Sequence, residues 1–250
     1  MIDPHMQQVQ LLASPVNAGS FSQFTEKICS LAKKKHSSYV CFANVHMLVE
    51  AYEDPQFNQV LKGANLVAPD GVPLCKLMKW KYKEEQDRVA GMDMVPILFE
   101  EAEKRDLSVF LYGDTEELLE ELEAQLLRDF PGLTIAGAYS PPFRSLTVEE
   151  DQEIVNRINA SGSQLLFVAL GCPKQEKWMA AHHGQVEATM LGIGNAFRTY
   201  LGKEKRAPQW MRKFALEWLY RLLQNPKRLW KRYFLTNGKF IYLTLTRSFK

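Results

Sequence analysis

An aspartate in the segment APDGVP, Asp70, stands between a short apolar run and a stretch with the period of a helix. Gly71 and Pro73 shape the turn that follows it and allow a helix to begin there. An aspartate in this place can cap the helix with its side chain. A carboxylate at the end of a strand can also take a proton from an attacking hydroxyl, provided that it is held near that hydroxyl in a partly desolvated cleft. The local sequence permits both roles for Asp70.

Two neighbouring segments supply polar side chains that could bind a sugar or a phosphate. NVHM contains Asn44, whose amide could hold a sugar hydroxyl or a nucleotide, and His46, whose imidazole could bind phosphate or be structural. DRVAGMD brings Arg88 and Asp93 close together in the sequence. Arg88 could bind a diphosphate through two parallel hydrogen bonds, or it could pair with Asp87 or Asp93.

Two later segments have the composition of ligand-binding loops. In GCPKQEKW a glycine and a proline bracket a turn, and Gln175 enters a helix start suited to an anion. Gln175 could hydrogen-bond a uracil, a sugar or an acceptor. LGIGNAF offers Gly192 and Gly194 for close approach of a ligand to the backbone, and the same pair also fits a tight turn. The sequence contains no Walker A motif, complete dinucleotide fingerprint or DxD pair for a metal-bound nucleotide sugar.

The elements that must position these loops alternate along the chain. Six short apolar runs are typical of strands: SSYVCFAN, ANLVAP, LSVFLYGD, LTIAGAYS, SQLLFVALG and VEATMLGIG. Four longer segments have helical period: SFSQFTEKICSLAKKK, MDMVPILFEEAEKRD, TEELLEELEAQLLRDF and TVEEDQEIVNRINAS. The alternation predicts an α/β protein with a largely parallel sheet flanked by helices. In such sheets ligands bind at the carboxyl ends of the strands, where these loops lie. In the loop YGDTEE, Asp114 or Thr115 is expected to cap the following helix.

Composition excludes several classes of protein. With 250 residues, 46% of them hydrophobic and 24% charged, the chain has the make-up of a globular protein rather than a disordered or fibrous one. Its four cysteines are widely spaced and form no metal-binding pattern, which favours a reduced, cytoplasmic protein. We see no secretory signal and no apolar stretch of about 18 residues, so we expect any membrane contact to be peripheral.

The charge is unevenly distributed although the formal net charge is only +2. From residue 203 onward the only acids are Glu204 and Glu217, whereas Lys and Arg are frequent. Large apolar residues recur there near helical period: Trp210, Phe214, Trp218, Leu219, Leu222 and Leu223. The pattern is typical of an interfacial helix on anionic lipid, although such a face can also cover a core. A nucleic-acid surface is disfavoured because no helix-turn-helix, RNP or zinc pattern accompanies the basic residues. We expect a core over residues 1–202 and a basic appendage over residues 203–250.

An ordered set of motifs resembles the WecG/TagA/CpsF family of bacterial glycosyltransferases, glycosyltransferase family 26. The motifs are NVHM, APDGVP, DRVAGMD, GCPKQEKW, GIGNAF, GKEKRAPQWM and LEWLYRLLQNPKRLWKRY. The resemblance implies a Rossmann-like core, no metal or other cofactor, oligomerisation, and inverting transfer of a sugar from a UDP donor to a polyprenyl-diphosphate-linked saccharide. The sugar would be N-acetylmannosamine, its uronic acid or glucose, and the polymer a teichoic acid or another cell-surface polysaccharide. The site of action would be the cytoplasmic face of the bacterial membrane.

The resemblance also implies roles for particular residues. Asp70 falls on the family's proposed base, Asn44 on its active-site asparagine and Gln175 on its glutamine. The appendage arginines, expected to face the donor diphosphate or lipid phosphates, fall on Arg221, Arg228 and Arg232.

Two positions depart from the family pattern. Phe42 replaces a frequent threonine, and Arg198 replaces a frequent acid; the added arginine would suit a more acidic donor or acceptor. An alternative function is therefore a catalytically inactive protein of the same fold that binds a nucleotide or a lipid phosphate.

Overall fold

The structure is a computed structural model that describes residues 6–247, without the side chains of residues 213, 228, 229, 231, 232 and 247. Its strands are β1 Gln8–Leu11, β2 Ser14–Asn17, β3 Ser38–Ala43, β4 Leu66–Pro69, β5 Val109–Gly113, β6 Ile135–Tyr139, β7 Leu165–Ala169 and β8 Thr189–Gly192. Its helices are α1 Phe21–Lys33, α2 Val45–Glu53, α3 Pro55–Gly63, α4 Val72–Tyr82, α5 Gly91–Lys104, α6 Glu116–Asp129, α7 Val148–Ala160, α8 Lys174–Ala181, α9 Ala196–Tyr200, α10 Gln209–Lys213, α11 Glu217–Gln224 and α12 Pro226–Arg247.

The main sheet has six strands in the order β4-β3-β8-β7-β5-β6. Strands β3 and β8, β8 and β7, β7 and β5, and β5 and β6 pair in parallel. Cys41 and Val168 both lie opposite Gly192, so the last residues of these strands reach the same edge of the sheet. The predicted α/β class, the six strands and the four helices are confirmed.

The chain divides into two compact units. The first contains the described residues of 1–21, 42–90 and 205–250, and the second contains residues 22–41 and 91–204. The functional boundary expected at residues 202 and 203 stays a prediction.

In the first unit, two elements separated in sequence are joined to the strand before Asp70. A hairpin of β1 and β2, which the sequence did not predict, turns at Leu12 with a positive φ of 54°. Asn17 of β2 accepts the backbone N–H of Val67 in β4 at 2.8 Å. Helix α12 packs on α2 and buries Phe240 and Leu243. The C-terminal helices are therefore part of this unit's packing.

In the second unit, the buried strands form the centre of the core. Every residue of β5 is buried, as are the residues of β8. The rings of Phe99 in α5 and Phe167 in β7 lie 4.6 Å apart between centroids, within the range of favourable aromatic contacts. These apolar contacts fix the strand ends from which the loops of this unit leave.

Candidate functional site

The loop that contains Asp70 is fixed by its backbone. The N–H of Asp70 donates to the carbonyl oxygen of Ala43, at the end of β3, over 2.7 Å. Helix α4 then begins at Val72, and its N-cap is Gly71, whose φ of 150° favours glycine. Asp70 precedes the N-cap position, so it does not occupy the N-cap that one sequence interpretation gave it. Its carboxylate is 24% exposed.

Arg88 faces two carboxylates in the same unit. Its Nη2 atom lies 3.0 Å from Oε2 of Glu217 and 4.0 Å from Oδ1 of Asp70. The other oxygen of Glu217, Oε1, lies 3.4 Å from Nη2 of Arg221. A glutamate of α11 therefore joins two of the arginines that the sequence analysis singled out, beside the candidate base. No sequence signal pointed to Glu217, because its partner Arg88 is 129 residues away.

Asn44 and His46 lie at the beginning of α2. Asn44 is its N-cap, and the side-chain oxygen accepts the N–H of Met47 at 3.1 Å. The cap engages this oxygen, so a sugar contact from Asn44 would use the amide nitrogen. In the first turn, Nδ1 of His46 lies 3.8 Å from Oε1 of Glu50. The structure thus places both residues at a strand end, and their ligand roles stay predictions.

In the second unit, Gln175 connects two loops at strand ends. Its Oε1 atom accepts the N–H of Gly171, after β7, at 3.1 Å and the N–H of Gly194, after β8, at 3.0 Å. Its Nε2 atom donates to Oε1 of Glu176 at 2.7 Å. The preceding peptide bond between Cys172 and Pro173 is cis. Gln175 therefore holds both candidate ligand loops of this unit in place, and a direct substrate contact stays a prediction.

Glu176 is a fully buried carboxyl group that sequence reasoning missed. Burial raises its pKa to about 7, and the hydrogen bond from Gln175 offsets part of that effect. Burial likewise raises the pKa of the nearby Cys41 thiol well above its usual range, and the Glu176 charge adds to this. Near neutral pH Glu176 is thus divided between its neutral and charged forms.

The two glycines of GIGNAF serve different purposes. A Cβ atom on Gly192 would lie 2.7 Å from Cε of Met179 and 3.0 Å from Nε2 of Gln175, so the residue must be small to let α8 pack against β8. Gly194 has a φ of 59°, in the left-handed region that favours glycine. At Gly192 the close approach is therefore made by the protein's own side chains.

Arg198 pairs with Asp114. Its Nε donates to Oδ2 over 2.9 Å, and its Nη2 contacts Oδ1. Thr115, rather than Asp114, is the N-cap of α6, where its side chain accepts the N–H of Leu118. Asp93 lies in the first turn of α5. The extra positive charge at residue 198 is thus opposed by a carboxylate from the end of β5.

The comparison with known proteins is decisive for the family. The sequence model of the WecG/TagA/CpsF family of glycosyl transferases matches residues 9–250. The chain belongs to this family. A Bacillus spizizenii protein named N-acetylglucosaminyldiphosphoundecaprenol N-acetyl-beta-D-mannosaminyltransferase is 36% identical to it over 196 residues, which cover 78% of this chain and 74% of that protein. A Bacillus subtilis protein of the same name is 31% identical over 217 residues, which cover 86% and 82% of the two chains.

The appendage expected of a WecG/TagA/CpsF protein lies in α10, α11 and α12. Arg221 is on α11, whereas the side chains of Arg228 and Arg232 on α12 lie outside the described residues. Several aromatic side chains of these helices are exposed: Trp210, Phe214, Trp218, Trp230, Phe234 and Tyr242. Within residues 6–247, no helix is both long enough and apolar enough to span a bilayer.

Acidic, cysteine and histidine side chains were also compared with the requirements of a metal site. Among the residues that the structure describes, no group of three or more is arranged to hold a metal ion in this WecG/TagA/CpsF family member. Metal independence stays a prediction.

Proposed function

We propose that this protein is an inverting glycosyltransferase that moves a sugar from a UDP donor to a polyprenyl-diphosphate-linked saccharide. The observation that supports it most is the placement of Asp70: a partly exposed carboxylate at the end of β4, held through its backbone and lying 4.0 Å from a guanidinium nitrogen of Arg88. The names of the two Bacillus relatives supply the acceptor class, N-acetylglucosaminyldiphosphoundecaprenol, and the transferred sugar, N-acetylmannosamine.

In the proposed reaction, Asp70 takes the proton from an acceptor hydroxyl as its oxygen attacks the anomeric carbon of the donor. The bond from that carbon to the diphosphate breaks on the opposite face, and UDP leaves with the bonding electrons. The leaving diphosphate gains negative charge, which guanidinium groups stabilise when they are already oriented. Arg88 and Arg221 are the described candidates for this role, and the family resemblance adds Arg228 and Arg232.

The donor that we favour carries N-acetylmannosamine rather than its uronic acid. Arg198, the residue that would suit a more acidic sugar, has its guanidinium paired with Asp114. A contact with a sugar carboxylate would require that pair to open and leave Asp114, which is mostly buried, without this partner. The other departure from the family pattern, Phe42, is buried in β3, where it serves packing.

We further propose that the C-terminal helices place the protein on the cytoplasmic face of the bacterial membrane, where its lipid-linked acceptor resides. Exposed Trp and Tyr rings suit a bilayer interface, and the surrounding Lys and Arg side chains suit anionic lipid. The physiological setting would be synthesis of teichoic acid or another cell-surface polysaccharide, by a homo-oligomer.

The decisive experiment measures UDP release from a panel of UDP-sugars, with and without a polyprenyl-diphosphate-linked N-acetylglucosamine acceptor, in the presence of EDTA. The mass of the lipid-linked product identifies the sugar. Asp70→Asn should abolish turnover while leaving UDP binding intact, because the amide keeps the shape but cannot act as the base. Asp106→Asn is the matched control: Asp106 is exposed and has a φ of 54°, which asparagine tolerates.

Near-normal turnover by Asp70→Asn would refute the assignment of the base. If UDP binds but the wild-type protein forms no product with any donor, the chain is the alternative, a binding protein without transferase activity. Loss of turnover with EDTA would refute metal independence alone.

A further inference from the structure

The arrangement of charges around Arg88 has a consequence for the base that depends on the proposed function. One atom, Nη2 of Arg88, faces both Glu217 at 3.0 Å and Asp70 at 4.0 Å. The shorter distance is that of a hydrogen bond, which Nη2 donates to Glu217 Oε2. The longer one is an ion pair without that hydrogen bond. The guanidinium is therefore held by the glutamate of α11 rather than by the candidate base.

A base must keep its affinity for a proton. An arginine that moved into direct contact with Asp70 would stabilise the charged carboxylate and make it a weaker base. The three side chains are each only partly exposed, 17% for Arg88, 24% for Asp70 and 22% for Glu217, so water screens their charges incompletely.

We propose that Glu217 is a positioning residue that draws Arg88 away from Asp70 and thereby keeps Asp70 basic enough to accept the proton of the acceptor hydroxyl. This inference adds to the reaction a residue of the C-terminal helices whose charge is opposite to that of the arginines around it. Arg221, 3.4 Å from the other oxygen of Glu217, holds the carboxylate in this orientation.

Other groups near Asp70 do not titrate in the same range. Cys75 of α4 faces Asp70, Arg88 and Asp87, and burial raises the pKa of its thiol to about 12. It therefore stays neutral through the pH range of a base-limited reaction. The charged groups that act on Asp70 in this cluster are Arg88 and, through it, Glu217, Arg221 and Asp87.

The test substitutes Glu217→Gln, which keeps a hydrogen-bond acceptor for Arg88 but removes the charge. We expect Arg88 to shift toward Asp70, the acidic limb of the pH–kcat profile to move about one pH unit lower, and kcat to fall without a rise in donor KM. A residue that only fastened α11 would raise KM and leave the limb in place. Glu217→Asp, which keeps the charge, should return the limb toward its wild-type position.

A second measurement does not require turnover. In protein labelled with carbon-13 at the aspartate carboxyls, the Asp70 signal is identified by its absence from Asp70→Asn, and its titration midpoint should be about one pH unit lower in Glu217→Gln. The matched control is Glu26→Gln, which removes the charge from another Glu–Arg pair, that of Glu26 with Arg105, and should leave the Asp70 signal unchanged.

The outcomes separate the two proposals. An unchanged Asp70 midpoint in Glu217→Gln would overturn the positioning role, even if the wild-type protein transfers sugar as proposed. A protein that shows the shifted midpoint but forms no product would overturn the proposed function and leave the electrostatic coupling standing.

Discussion

Glu176 gives the protein a pH-dependent stability that the substitution Glu176→Gln should remove. Burial raises the pKa of this carboxyl from an ordinary 4.5 to about 7 in the folded protein. Below pH 4.5 the group is protonated in both states and costs nothing by ionisation. As the pH rises through this interval, the unfolded chain loses the proton first, so the folded state becomes less stable relative to it.

The magnitude follows from the width of that interval. At about 1.4 kcal/mol per pH unit, it corresponds to about 3 kcal/mol of unfolding free energy, lost between pH 4.5 and slightly above 7. Glutamine cannot ionise and still accepts the hydrogen bond from Gln175. The stability of Glu176→Gln relative to wild type should therefore rise by about 3 kcal/mol between pH 4.5 and pH 8.5, or about 6–12 °C in Tm for a chain of this size.

Denaturation of both proteins by heat and by urea at four pH values measures this difference. Glu150→Gln is the control of opposite sign. The hydrogen bond from Arg144 lowers the pKa of Glu150 to about 2, so its contribution is present above pH 4.5 and disappears as the pH falls toward 2. An unchanged difference between wild type and Glu176→Gln from pH 4.5 to 8.5 would refute the claim that burial controls this carboxyl.

Two further predictions concern packing and lipid. Gly192→Ala should destabilise the fold by about 1–3 kcal/mol in urea denaturation, because its Cβ would meet Met179 at 2.7 Å, and adding Met179→Ala should recover part of the loss. Trp230→Ala with Phe234→Ala should reduce sedimentation with anionic vesicles at least about tenfold, because both side chains are exposed on α12. Phe143→Ala, exposed in the second unit, is the control, and unchanged binding by the double variant would contradict lipid docking by α12.

Point substitutions suit the C-terminal helices better than truncation after Gly202. The sequence analysis treats these helices as an appendage, yet Phe240 and Leu243 of α12 are buried and α12 packs on α2. Removing them would expose apolar surface in the same unit as Asp70, so loss of activity would not report on lipid binding alone.

Local sequence patterns predicted the sheet because each strand is a short run of apolar residues that is buried almost throughout. The hairpin of β1 and β2 was missed because its turn, at Leu12 and Ala13, has neither glycine nor asparagine. For the same reason Asn44 was interpreted as a ligand residue, although it also caps α2: an asparagine at a strand end fits both roles.

The sequence by itself determined the α/β class, the loops at the strand ends, the basic aromatic C-terminus and, through its ordered motifs, the family. These properties depend on residues close together in the chain, where apolar period and turn chemistry act locally. The tertiary structure alone decided that Glu217 holds Arg88, that Asp114 holds Arg198 and that Glu176 is buried. The partners in the first two pairs are far apart in sequence, and the pKa of Glu176 depends on the packing around it, which no local pattern encodes.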